Sequence, residues 1–146
     1  MRFIGDLEFH GLYTILASLK TEFLSNSVPI RFIVDTGALS SIIGYKDARK
    51  LGIKYDLLDK PNIKIMGVIG NVYAYKIPSC EIIFEDADNE NKGYAITLSE
   101  VLVLPENDSR VRHTPSLLGI DILKKFNIRF NSLSVILEPN LLNQDT

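Results

Sequence analysis

The chain has one cysteine, no tryptophan and two methionines. It also has no apolar run near the ~20 residues that span a bilayer. A single thiol, Cys80, excludes an intrachain disulfide and any thiolate-rich metal cage, and it suits a reducing compartment. Excess charge of one sign is missing too. Sixteen Lys and Arg against eighteen Asp and Glu leave a net charge of −2, so no broad positive field is offered to nucleic acid. Phosphate loop, G-x-S-x-G elbow, H-E-x-x-H pair and dinucleotide fingerprint are all absent. His10 and His113 lack metal-ligand spacing. The start, Met1 to Glu8, is broken by charge every few residues and has no leader-like apolar region. Together these absences predict a soluble cytoplasmic protein with no nucleic-acid or membrane partner.

What is present is a chain of 146 residues, 46% of them hydrophobic, enough for one core. The expectation is a single domain over 1–146, with its core at about 13–138 and a loose tail at 139–146. Short β-branched and aromatic runs separated by turn residues predict an all-β fold with two short helices. Tyr13, Ile15, Ala17 and Leu19 alternate with polar neighbours up to Phe23, and Pro29 to Val34 completes a hairpin. Tyr45 to Leu51 reads as a helix, with Asp47 in its first turn, Arg49 and Lys50 in its last, and Gly52 as a left-handed cap. Further strands are expected at 63–66, 72–77, 80–84, 95–104, 127–131 and 134–137, a polar turn at 86–93, a polar loop at 105–115 and a second helix at 120–126. No internal repeat stands out.

The chemistry concentrates at Ile33-Val34-Asp35-Thr36-Gly37-Ala38. A carboxylate directly after a buried apolar run is costly unless it is exposed at a strand end or has a task. Taken alone, Asp-Thr-Gly also reads as a plain turn, because Asp bonds the backbone two residues on and Gly supplies backbone freedom. The hairpin tip Met66-Gly67-Val68-Ile69-Gly70 is unusually apolar for a turn. Cys80, in a strand pattern, reads as a core thiol.

The run Phe32 to Ile43, together with Leu117-Leu118-Gly119-Ile120-Asp121-Ile122-Leu123 much later, resembles the retropepsin-like aspartic proteases, in particular their single-domain, non-viral members. The resemblance implies a retropepsin-like acid-protease barrel that acts as a C2 homodimer. It makes Asp35 the catalytic residue, with Thr36, Gly37 and Ala38 as supports of its loop. Leu117, Leu118 and Gly119 become the strand beneath the site, and Met66, Gly67, Val68, Ile69 and Gly70 the flap over substrate. It implies no cofactor and no metal. The implied activity is endopeptidase cleavage of an extended peptide or unfolded protein by a water that Asp35 and its symmetry mate activate. A non-catalytic peptide-binding or dimerisation module on the same fold is the alternative.

One aspartate per chain is chemically sufficient only in a dimer. The hydrolysis needs one carboxylate as base and one carboxylic acid as proton donor. Two full charges ~3 Å apart repel by about 5 kcal/mol at an effective dielectric near 20, so the pair holds a proton between them. With one Asp-Thr-Gly in the chain, the second acid has to come from another copy. Met1 to Phe9 and Ser134 to Leu137 are the candidate seams. Ser40 and Ser41 are either loop supports or ordinary turn residues. Asp121, where retroviral members carry a Gly-Arg-Asn run, is read as a helix cap and not a third acid.

Overall fold

The computed structural model describes residues 1–8, 10–67, 70–106 and 108–140. Val68 and Ile69 of the expected flap, and 141–146 of the tail expected to be loose over 139–146, lie outside the described residues. Of that tail, Pro139 pairs with Phe126 and the Asn140 N–H bonds the Lys125 carbonyl.

Among the described residues, ten strands form one continuous sheet that wraps around its own core: β1 (Phe3–Leu7), β2 (Tyr13–Lys20), β3 (Pro29–Val34), β4 (Ile42–Ile43), β5 (Ile63–Gly67), β6 (Gly70–Asp86), β7 (Asn89–Val103), β8 (Leu117–Leu118), β9 (Phe126–Phe130) and β10 (Ser134–Pro139). Their order is β5-β6-β7-β4-β8-β3-β2-β1-β10-β9, with β6 also pairing β2. Two short helices follow the two shortest strands, α1 (Tyr45–Leu51) after β4 and α2 (Ile120–Leu123) after β8.

Alternation decides which faces go inward. On β2, Ile15, Ala17 and Leu19 are buried while Leu16 is exposed, and on β3 Ile30 and Phe32 are buried while Arg31 is exposed. The phenyl rings of Phe3, Phe84 and Phe126 meet at centroid distances of 5.4–5.9 Å, joining β1, β6 and β9 at one end of the core. Helix α1 ends on Gly52 at φ 63°, whose N–H bonds the carbonyls of Ala48 and Arg49, a left-handed stop that a side chain would strain.

Several boundaries differ from the sequence expectation. β2 stops at Lys20, and α2 is one turn ending at Leu123. The expected break at Pro78-Ser79 falls inside a 17-residue strand. Pairing with β7 continues across it, Pro78 opposite Glu100 and Cys80 opposite Leu98. Ser79 takes φ 56°, a conformation that costs a non-glycine residue about 1–3 kcal/mol and persists because the ladder on both sides over-determines it. The polar turn is also tighter than expected, since Gly93 already pairs with Glu85 and Asn89 with Asp86. Arg2 secures this turn: its guanidinium bonds Asp88 and its backbone N–H bonds Asp86. The loop after Val103 contains a 3-10 turn at Ser109–Val111 and is not purely polar, because Val111 is buried.

Candidate active site

Asp35 follows β3 directly, and what holds it is mostly backbone. β8 runs parallel to β3, with Ile33 opposite Leu117 and Val34 opposite Leu118. The N–H of Asp35 then donates to the carbonyl of Leu118 at 3.0 Å. β4 lies on the other side of β8, antiparallel, with Ile42 opposite Leu117. The segment 35–41 therefore bridges from β3 to β4 across the end of β8.

Within that bridge the turn is closed by its own residues. Asp35 Oδ1 accepts the N–H of Gly37 at 2.9 Å, and the N–H of Ala38 donates to the carbonyl of Asp35 at 3.2 Å. The turn chemistry anticipated for Asp-Thr-Gly is present, and it leaves the carboxylate partly exposed at the strand end. Thr36 and Gly37 are exposed and Leu39 is 84% exposed, an unusual setting for a large apolar side chain beside a polar turn.

Beneath the bridge, Gly119 makes the closest approach. A Cβ there would stand 2.8 Å from the Ala38 carbonyl oxygen and from the Ser40 carbonyl carbon, so a side chain would force the backbone apart. The N–H of Ile120 bonds the Ala38 carbonyl at 2.8 Å and that of Asp121 bonds the Leu39 carbonyl at 3.3 Å. Leu118 is fully buried and Leu117 partly buried.

Ser41 takes the loop-support alternative, and Asp121 differs from the cap that the sequence suggested. Ser41 is buried. Its N–H donates to Asp121 Oδ2 at 2.9 Å, its hydroxyl donates to Asp121 Oδ1 at 2.7 Å, and the same hydroxyl accepts the Gly119 N–H at 3.0 Å. Asp121 is not the cap of α2, since Gly119 occupies that position with no side-chain cap bond. Its carboxylate accepts the Ile122 N–H at 2.9 Å within the first turn and also reaches across to the segment that follows Asp35.

A second set of contacts was missed altogether. Ser116, also buried, accepts the N–H of Gly44 at 2.9 Å and donates to Asp47 Oδ2 at 2.6 Å. The available signal is a short internal repeat, Ser41-Ile42-Ile43-Gly44 and Ser116-Leu117-Leu118-Gly119, each with an Asp two or three residues after the glycine. The expectation of no internal repeat is corrected on this scale.

The hairpin of β5 and β6 pairs Met66 with Asn71 and Gly67 with Gly70. The hairpin packs toward β4 through a small apolar cluster, in which Val72, Leu104 and Val111 are buried and Ile42 and Ile65 pack against them. Cys80 is buried among core residues and its thiol is pushed up to about 11 by burial, which suits a packing residue and not a nucleophile. Among the described residues no group of three or more His, Cys, Asp or Glu is placed to hold a metal ion, and no helix is long and apolar enough to cross a membrane.

Residues 21–125 match the family model described as "gag-polyprotein putative aspartyl protease", a span that includes both Asp35 and Asp121. The fold is similar to the crystal structure of a retropepsin-like aspartic protease from Rickettsia conorii, with a TM-score of 0.64 and 25% identity over 94% of this chain and 89% of that one. A protease of EIAV in complex with the inhibitor HBY-793 is a more distant likeness, with a TM-score of 0.49 and 19% identity over 80% of this chain and 89% of that one. No curated protein matches the chain significantly.

Proposed function

We propose that this chain, which belongs to the retropepsin-like aspartyl protease family, is a homodimeric aspartic endopeptidase whose active site forms where two copies of Asp35 meet. The observation that carries the reading is the Asp35-Thr36-Gly37 turn, whose carboxylate is oriented by the Gly37 N–H and whose Asp35 backbone N–H donates to the Leu118 carbonyl. Only one such motif occurs in the chain.

Chemistry supplies the rest of the argument. In the dimer, the two Asp35 carboxyl groups share one proton across the two-fold axis. The ionised member takes a proton from a water held between them as that water attacks the scissile carbonyl. The protonated member donates to the carbonyl oxygen, giving a tetrahedral gem-diol. Return of protons to the amide nitrogen breaks the C–N bond. No metal is required, because the acid pair supplies both base and electrophile. Thr36 and Gly37, exposed on the turn, are the groups available to the partner's turn, and the Gly37 carbonyl is available to substrate. Exposed Leu39 supports a covered turn, since an apolar side chain of this size gains about 1.5–3 kcal/mol on full burial.

The hairpin with Gly67 and Gly70 at its end is proposed as the flap, closing over an extended peptide that pairs with it as an added strand. This mode takes its affinity from main-chain bonds, so apolar residues near the cut and loose sequence preference are expected.

The test is cleavage of an unfolded protein substrate at acidic to near-neutral pH by the wild-type chain and by Asp35→Asn. The variant is expected to fold and dimerise but to lose at least about a thousandfold in kcat, as removal of an acid–base group does. Unchanged cleavage by Asp35→Asn overturns the reading. A dimer that binds peptides without cutting them assigns the chain to the binding alternative.

A further inference from the structure

We propose that Ser41 and Asp121 are positioning residues of the active site, forming a side-chain clasp that fixes the catalytic turn over Gly119. The chemically matching Ser116–Asp47 pair holds α1 and serves stability alone. The proposal rests on the reading of Asp35 as the catalytic acid.

The two clasps are related by the antiparallel pairing of β4 with β8. Ser41 precedes β4 and reaches the segment after β8, while Ser116 precedes β8 and reaches the segment after β4. Each buried hydroxyl accepts the N–H of the glycine that caps the opposite helix. Each also donates to a carboxylate in that helix's first turn, Asp121 in one case and Asp47 in the other. Both glycines admit no side chain, since a Cβ at Gly44 would enter the Thr114 carbonyl and one at Gly119 the Ala38 carbonyl. The serine hydroxyl is thus the polar group that satisfies an N–H where the backbone is packed too tightly for water.

The pairs differ in what they restrain. Asp121 takes both the hydroxyl and the backbone N–H of Ser41, and the residues before Ser41 are the turn that carries Asp35. Asp47 takes only the Ser116 hydroxyl. The bridge is therefore fixed at both ends: Asp35 is held through Leu118 at one, and Ser41 through Asp121 at the other. A carboxylate suits position 121 because both its oxygens accept, two donors coming from Ser41 and a third from the Ile122 N–H. Asn in its place offers one acceptor and turns an N–H₂ toward the second donor.

Five variants test this: Ser41→Ala, Ser41→Thr, Asp121→Asn, the double Ser41→Ala/Asp121→Asn, and Ser116→Ala. Activity is read as kcat and KM per active dimer, titrated with a statine-type transition-state mimic. Turn order is read separately from hydrogen exchange of the Gly37 amide. Ser41→Ala and Asp121→Asn are expected to lower kcat by about 10–100-fold with KM changed less than about threefold, since small misplacement of a reacting group has that effect. The double variant should be no worse than about the poorer single, as expected for one interacting unit. Ser41→Thr should retain most of kcat. Ser116→Ala should lower the melting temperature but keep kcat within about twofold of wild type. In Ser41→Ala the Gly37 amide should exchange faster, and in Ser116→Ala it should not.

A folded Ser41→Ala dimer with unchanged kcat and unchanged Gly37 exchange overturns the proposal, and so does an equal loss of kcat in Ser116→Ala. The amide readout separates this from the function itself. If the wild type cleaves nothing while Ser41→Ala still frees the Gly37 amide, the protease reading fails and the clasp stands. If Gly37 exchange is indifferent to Ser41, the clasp fails whatever the activity.

Discussion

At the scale of single residues, burial and hydrogen bonding divide the polar and sulfur-bearing groups into two kinds. Asp35 keeps part of its carboxylate open, with one oxygen oriented by Gly37. Cys80 is closed off entirely, and burial raises its thiol from 9.0 to about 11. The sign of the resulting pH dependence follows from linkage. Between pH 9 and about 11 the unfolded thiol gives up a proton that the folded one keeps, so the unfolded state binds fewer protons and stability falls as pH rises. Below pH 9 the group contributes no pH dependence, and above about 11 its contribution levels off. The fall is up to about 3 kcal/mol at 1.36 kcal/mol per pH unit. Denaturant unfolding at pH 8 and pH 10.5 should show this loss in the wild type and a smaller one in Cys80→Ala. Thiol reagents at pH 8 should modify Cys80 only at the rate of unfolding. Equal alkaline losses in both proteins, or rapid native-state labelling, would show that the thiol is not buried in solution.

At the scale of elements, the core end formed by Phe3, Phe84 and Phe126 closes the sheet between β1, β6 and β9. Phe126→Ala should cost about 3–5 kcal/mol, the range for an aromatic ring removed from a packed core, and lower the denaturant midpoint without a change in slope. A cost below about 1 kcal/mol would mean that the rings do not carry this closure. How far the elements were legible in the sequence depends on where their partners lie. Helix α1 is readable because its signals are local: Asp47, Arg49, Lys50 and Gly52 lie within eight residues. The turn at Asp35 is readable for the same reason. The union of 72–77 with 80–84 into β6 is not, because Pro78-Ser79 is a local breaker and only pairing with β7 twenty residues later overrides it. The roles of Ser41, Asp47, Ser116 and Asp121 are not readable residue by residue either. Their hydrogen bonds span sequence separations of 69 to 80 residues, and a buried serine looks like a turn serine until the opposite strand is placed beside it.

At the scale of the whole molecule, the proposed dimer requires two copies to bring their turns together. Of the segments expected as seams, Met1 to Phe9 and Ser134 to Leu137, the strands β1 and β10 are engaged within the chain, since β1 lies between β2 and β10 and β10 lies between β1 and β9. A seam built on their edges would have to extend or displace pairing already made. The turn itself, with Thr36, Gly37 and Leu39 exposed, needs no such displacement and lies where the chemistry requires contact. A shared site has a quantitative consequence that a self-contained one lacks. If each site uses one Asp35 from each copy, mixing wild type with Asp35→Asn under exchanging conditions leaves fully competent sites only in wild-type pairs. Activity then falls as the square of the wild-type fraction, and an equal mixture retains about one quarter of the activity of the same total protein. If each chain carried a complete site, the equal mixture would retain about half, with a linear dependence on composition. The measurement is initial rate against mixing ratio at fixed total concentration, after incubation long enough for subunits to exchange. The quadratic curve is expected to coincide with a specific activity that falls on dilution through the dimer dissociation constant. A straight line, with specific activity independent of dilution, would remove the second copy from the mechanism.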